Sequence, residues 1–277
     1  MKKVNMLKSA LVLIIPIALV LSGCQSNNDA NDRGQTNVIN DERSDDPSVQ
    51  KGQELLNRCV KAHGGMAQWQ KFDGLEYVMI NHGDTIHQLT QLKDRRAHLQ
   101  SKDFEIGYDG EFAWALPDTS KVPGNSPAFY YNLDFYFIAI PFVIKDPGVF
   151  VTYAGKNTLG GKEYETLKVG FGSGVGLTPK DTYYMYLDPE TYIFKVLAYS
   201  ITYFGEDSPV NTAKVYSDWV KVQGLLMPIR MENFEWNEGV LGESKHHLRI
   251  FKDIHFLEKI TDETQFNVPT GAFKEKV

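Results

Sequence analysis

Ser126 to Asp146 read "SPAFYYNLDFYFIAIPFVIKD", and the fold turns on this stretch. Ser126 can cap a helix and Pro127 can begin one. Phe135 to Ile144, "FYFIAIPFVI", is apolar or aromatic on every side. Ten residues are too few to cross a bilayer, which takes roughly 20, and Pro141 would kink or end the helix. A helix apolar all round must be buried, or must lie against lipid or ligand.

What surrounds it reads as strands. From Leu75 onward the chain breaks into short runs such as "LEYVMINH", "DTYYMYLD" and "AKVYSDWVKVQ", punctuated by Gly, Asp and Lys. Asp109-Gly110 is a hairpin signal, Asp188-Pro189-Glu190 a tight turn, and Gly224 separates two runs. Eight to eleven antiparallel strands result. In the run before residue 257, Leu248, Ile250, Ile254 and Phe256 alternate with His247, Arg249, Asp253 and His255, the pattern of burial on one side. Other runs carry aromatics on both faces, so the sheet has one face on a core and the other partly lipophilic.

A helix precedes the sheet, with Asp46 as N-cap and Pro47 in the first turn. Leu55, Leu56, Cys59 and Val60 form its apolar stripe, within which Cys59 is a small buried hydrophobe rather than a reactive thiol. The following "AHGGMAQWQKF", Ala62 to Phe72, reads as a structural joint. Gly64 and Gly65 stop the helix, Met66, Trp69 and Phe72 share a face, and His63 sits where a partly charged imidazole would complement the helix dipole.

The first residues give an address. Lys2, Lys3 and Lys8 precede an uncharged apolar run, Ala10 to Leu21, which is too short for a membrane span and reads as the core of a signal peptide. It ends in "LSGCQ", which resembles a bacterial lipobox and makes Cys24 the acylated residue. Several acyl chains would hold the protein firmly, where one would not. Gln25 follows where an aspartate would mark inner-membrane retention, so the resemblance implies the outer membrane. Residues 1–23 are then a lipoprotein signal peptide, 24–50 a lipidated disordered tether rich in Asn, Asp, Gln and Ser, and 51–277 the folded body.

Composition narrows the function classes. The chain has 29 basic and 35 acidic residues, a net charge of −6; removing the three leader lysines leaves 26 against 35, or −9. That opposes nucleic-acid binding, which needs clustered Lys and Arg. With Cys24 acylated, only Cys59 remains, so no internal disulfide forms. "GFGSGVGLTPKD", Gly170 to Asp181, fails as a phosphate loop because no helix N-terminus follows it. His246, His247 and His255 cannot share a metal along one straight strand. No Gly-x-Ser-x-Gly elbow is present, and the sequence calls for no cofactor or metal.

Three segments, "AHGGMAQWQKFDGLEY", "YDGEFAW" and "GVGLTPKDTYYMYLDPETYIFKV", together resemble an uncharacterised family of Bacteroidetes-type outer-membrane lipoproteins. The "YLDPETYIFKV" hairpin and "GLLMPIRM" resemble the lipoprotein-carrier fold of the Lol system. That resemblance implies an open antiparallel half-barrel curled around helices, with acyl chains held on its concave face. It brings no catalytic residues.

The expected architecture is therefore α+β: an N-terminal helix and a curved antiparallel half-barrel with a central apolar helix. Three functions stay open. The body binds a lipid, acyl chain or lipoprotein, with Trp114, Phe135, Phe137, Ile138, Phe142 and Tyr184 as candidate pocket residues. Alternatively, it is a non-catalytic structural lipoprotein that binds an envelope protein partner, its barrel plugged by the helix. The third reading is an envelope hydrolase. The implied partners are the membrane, through acylated Cys24, and a lipid, lipoprotein or envelope protein.

Overall fold

The structure, a computed structural model, describes residues 45–172, 176–203, 205 and 208–277. The signal peptide, Cys24, the tether up to residue 44, and Ser173 in the glycine-rich loop lie outside the described residues.

Helix α1, Pro47–Ala62, starts at the Asp46-Pro47 pair, and the Asp46 carboxylate accepts from the Ser48 N–H at 2.7 Å. It therefore crosses the boundary expected at residue 50. Its apolar stripe is buried: Leu55, Leu56, Cys59 and Val60 are all 5% exposed or less. The glycine joint follows, with Gly64 at φ +111° and Gly65 at φ +88°, and then the short helix α2, Met66–Trp69. At Gly64 a Cβ would come 2.4 Å from the Gly224 carbonyl oxygen. That close approach lets the His63 carbonyl accept from the Leu226 N–H, docking the joint on the sheet.

One structural feature corrects the sequence reading. His63 is fully buried; its Nδ1 lies 2.8 Å from the Cys59 carbonyl and its ring meets Trp219 edge-on at 5.0 Å. Burial lowers its pKa to about 4, so the imidazole is neutral and complements no dipole.

Among the described residues, thirteen strands form one antiparallel sheet. A first meander comprises β1 (Gly74–Asn81), β2 (Asp84–Gln91), β3 (Ala97–Gln100), β4 (Glu105–Tyr108) and β5 (Phe112–Leu116). A second comprises β6 (Val149–Leu159), β7 (Lys162–Phe171), β8 (Tyr183–Leu187), β9 (Phe194–Tyr199), β10 (Thr212–Val222), β11 (Leu225–Asn237) and β12 (Val240–Leu257). β1 pairs with β12, and β13 (Phe273–Lys276) pairs with β5, giving the order β13-β5-β4-β3-β2-β1-β12-β11-β10-β9-β8-β7-β6. The thirteenth strand, "FKEK", is four residues long and mostly exposed.

This topology explains the apolar stretch. β5 ends near one margin of the sheet and β6 begins at the other, so residues 117–148 must cross the whole sheet. They do so as α3 (Pro127–Tyr130), α4 (Leu133–Ile138) and a 3-10 turn at Phe142–Lys145. Ser126 Oγ caps α3 by accepting from the Phe129 N–H at 3.2 Å, and the helical path breaks before Pro141 as proline requires. A polypeptide crossing a concave apolar face must itself be apolar on all sides, which is the composition observed.

Both faces of the sheet bury apolar groups. The concave side shares one core with α1 and the plug, including Leu75, Leu99, Leu167, Met185, Leu197 and Phe251. The outer side carries a separate cluster of Leu159, Tyr186, Val196, Ala198, Ala213 and Trp236.

Candidate ligand-binding site

Polar residues fasten the plug. Arg249 on β12 reaches Asp134 on α4 with Nε–Oδ1 at 2.6 Å, and both side chains are at most 10% exposed. Tyr216 Oη donates to the Phe137 carbonyl at 3.3 Å, and Gln88 Nε2 donates to the Tyr131 carbonyl at 3.2 Å. Lys214 lies 1% exposed beneath the helix, donating to Asn233 Oδ1 at 2.7 Å with its Nζ 4.4 Å from the Phe137 ring centre. Burial, and then the Arg249 charge, push its pKa well below the usual lysine range, which favours the neutral amine.

Beside the plug lies a cavity of about 450 Å³. Its wall is aromatic and aliphatic, with Leu133, Tyr136 and Phe137 from α4, Phe171 from β7, and Tyr183 and Tyr199 from β8 and β9. Leu177, 43% exposed, stands at its rim. Tyr136, Phe171 and Tyr183 form a continuous wall, their ring centres 5.0–6.5 Å apart.

The charged lining residues are Arg95, Asp146 and Asp181. Arg95 is committed to Asp146 and to the Leu92 carbonyl. Asp181, 6% exposed, accepts from the Thr202 N–H at 2.7 Å. Burial raises the pKa of the Tyr136 and Tyr183 hydroxyls, and the nearby carboxylates add to it, so both stay protonated. No histidine, serine or cysteine is among the described residues that line this cavity.

The six candidates from sequence do not assemble into one pocket. Phe137 lines the cavity. Phe135, Ile138 and Phe142 are buried to 1% or less inside the plug's packing, Phe142 stacked on Trp69 at 4.5 Å. Trp114 lies on the outer face, because its neighbours Ala113 and Ala115 point inward; it covers Gly107 and donates from Nε1 to the Phe266 carbonyl at 3.2 Å. Tyr184 also points outward, one residue out of phase with Tyr183, and packs on the outer cluster. The residues missed were Tyr136, Tyr183 and the rim from Gly176 to Asp181. The signal for the rim was present in "GVGLTPKD", an apolar leucine flanked by glycine and proline ahead of a strand.

A second cleft, about 370 Å³, adjoins β1–β3 and has polar walls that include Glu76, His87, His98, Gln100 and Asp253. Among the described residues, no three His, Cys, Asp or Glu side chains are grouped to hold a metal ion, and no helix is long and apolar enough to cross a membrane.

Comparison with known proteins concerns chiefly the fold. A family of unknown function, DUF6503, matches residues 121–219, which end within β10. No curated protein sequence matches significantly. The structure is similar to that of a DUF1329 family protein from Desulfovibrio piger, with 10% identity, a TM-score of 0.50, and coverage of 79% of this chain and 97% of that one. A LolA superfamily protein from Nitrosomonas europaea is similar at 7% identity and a TM-score of 0.46, covering 77% and 96% of the two chains. What the Desulfovibrio protein shares with this chain is the architecture alone. The curved antiparallel half-barrel with a central helix, expected from the sequence, is the observed fold.

Proposed function

We propose that the protein is a non-catalytic cell-envelope lipoprotein, anchored through acylated Cys24 in the outer membrane, whose half-barrel binds the apolar part of a lipid, acyl chain or lipoprotein. The observation that carries this reading is the 450 Å³ cavity between the plug and β7–β9. Its volume falls within the 300–1,000 Å³ typical of small-molecule sites, and its wall is mainly apolar with a few polar groups at fixed positions. Beside the plug, Phe171, Tyr183 and Tyr199 of the concave face border this void rather than the packed core.

Replacing Cys24 by Ala in the full chain should release a soluble, folded protein, because the sheet begins well beyond the lipidation site. Persistent partitioning with membranes after a high-salt wash would overturn the single-anchor reading. The same variant, recovered from a bacterial envelope fraction, is suited to native mass spectrometry. The expected result is a co-purifying acyl species that is lost in Leu133→Asp and Phe137→Asp. A bare protein mass that takes up no added lipid would overturn the ligand reading. It would favour the second reading, a plugged scaffold for an envelope protein partner, which the complete burial of Phe135, Ile138 and Phe142 already favours in part.

A further inference from the structure

We infer that the cavity's natural occupant is an amphiphile bearing a cationic amine, neutralised by Asp181 against the wall of Tyr136, Phe171 and Tyr183, with its apolar portion running over Leu133, Phe137 and Leu177. The inference rests on the ligand-binding reading above and adds the chemical class of the head group.

The argument begins with charge. The described lining side chains include one cation, Arg95, and two carboxylates, Asp146 and Asp181. Arg95 and Asp146 satisfy each other, so the guanidinium that would attract a fatty-acid carboxylate or a phosphate is already engaged. Arg95 is also spread over the Phe135 ring at 5.2 Å, which holds it in the plug's packing. Asp181 has no such counter-ion among the described lining residues: its carboxylate accepts from the neutral Thr202 N–H. In a cavity walled by hydrocarbon, a carboxylate without a charged partner raises the cost of an incoming anion and lowers that of a cation.

The second observation is the wall itself. Tyr136, Phe171 and Tyr183 all line the cavity, with ring centres no more than 6.5 Å apart. Aromatic faces attract ammonium groups through their quadrupole, and the attraction strengthens when water is excluded. Asp181 is two residues before Tyr183, and its charge helps to keep both the Tyr136 and Tyr183 hydroxyls protonated. The carboxylate and the rings thus act on one volume. An aromatic wall and a carboxylate together favour an amine, whether primary or quaternary; the aliphatic residues beyond them favour an alkyl chain.

The test uses the full-length Cys24→Ala chain and four twelve-carbon probes below their micelle concentrations: dodecyltrimethylammonium, dodecylphosphocholine, laurate and dodecanol. Calorimetric Kd values are compared in that chain and in the same chain carrying Asp181→Asn, which keeps an oxygen for the Thr202 N–H. Dodecyltrimethylammonium is expected to bind about tenfold tighter than dodecanol, and laurate more weakly than either, with the cation preference falling to parity in the Asn variant. Tight binding of dodecylphosphocholine as well would support the inference and identify a zwitterionic lipid head; its failure beside a bound dodecyltrimethylammonium would support a simple cationic amphiphile. Equal affinities, a preference for laurate, or a cation preference that survives Asp181→Asn would overturn the inference while leaving lipid binding intact. Binding of none of the four would overturn the ligand reading itself.

Discussion

Arg249 Nε lies 2.6 Å from Asp134 Oδ1 inside the half-barrel, yet neither group has an aligned hydrogen bond. The contact joins β12 to the plug by charge attraction rather than by directed bonding. Removing one partner would leave the other charge buried and uncompensated. Asp134→Asn is expected to destabilise the protein by about 3–5 kcal/mol, and the double change Asp134→Leu with Arg249→Met to recover most of that loss. Urea denaturation of the three variants measures both. Equal losses in the single and double variants would refute the uncompensated-charge account.

His63 gives a pH signature. Its folded pKa, about 4, lies below the unfolded value of 6.5, so between these values the unfolded chain binds the extra proton. Stability should be complete above pH 6.5 and fall on acidification to pH 4, by roughly 3 kcal/mol. In His63→Gln that part of the acid slope should vanish. Equilibrium unfolding at pH 7.5 and 4.5 provides the comparison.

Lys214 predicts a second rise of stability with pH, on the alkaline side. Its folded pKa is depressed, so from that value up to the ordinary lysine pKa the unfolded state holds more protons and stability should rise with pH. Between pH 7 and 8.5, before the tyrosines of the unfolded chain ionise, the melting temperature should climb more steeply in the native sequence than in Lys214→Met. A parallel climb in both would assign the effect elsewhere.

The glycine joint separates strain from collision. Gly64→Ala puts a Cβ 2.4 Å from the Gly224 carbonyl, whereas at Gly65 a Cβ meets nothing within 4 Å. Gly65→Ala should cost only the backbone term, about 1–3 kcal/mol, and Gly64→Ala more. Thermal melts that rank them the other way would contradict the docking of the joint on the β10–β11 turn.

The sequence revealed what depends on periodicity and left hidden what depends on pairing across distance. The unbroken apolar run of Phe135 to Ile144 demanded burial, and burial is what the crossing from β5 to β6 provides. Asp134, one residue earlier, gave no sign that its partner would be Arg249, since no local pattern links positions so far apart. In "DTYYMYLD" the two-residue period grouped Tyr183 with Met185 and Tyr184 with Tyr186, but both faces are aromatic, so the concave one could not be told from the convex. Tyr184 was chosen from the wrong group for the cavity. Trp114 was chosen for its apolar bulk, although the alanines on either side, small enough for the crowded inner face, pointed to the opposite orientation. His63 looked like a dipole partner because a helix end is ordinarily wet, and here the sheet covers it.

The order of the strands sets a schedule for assembly. Strands β1 to β5 are consecutive, but the block they form is bracketed by β12 on one side and β13 on the other. Both of its margins therefore stay raw until the chain has gone through the plug and seven further strands. The first portion of the sheet to be synthesised is the last to be finished. During that interval its exposed edges can recruit other strands, and contacts between segments so distant in sequence form slowly. A protein built in this order gains from a holding factor while it folds, however stable it is once complete.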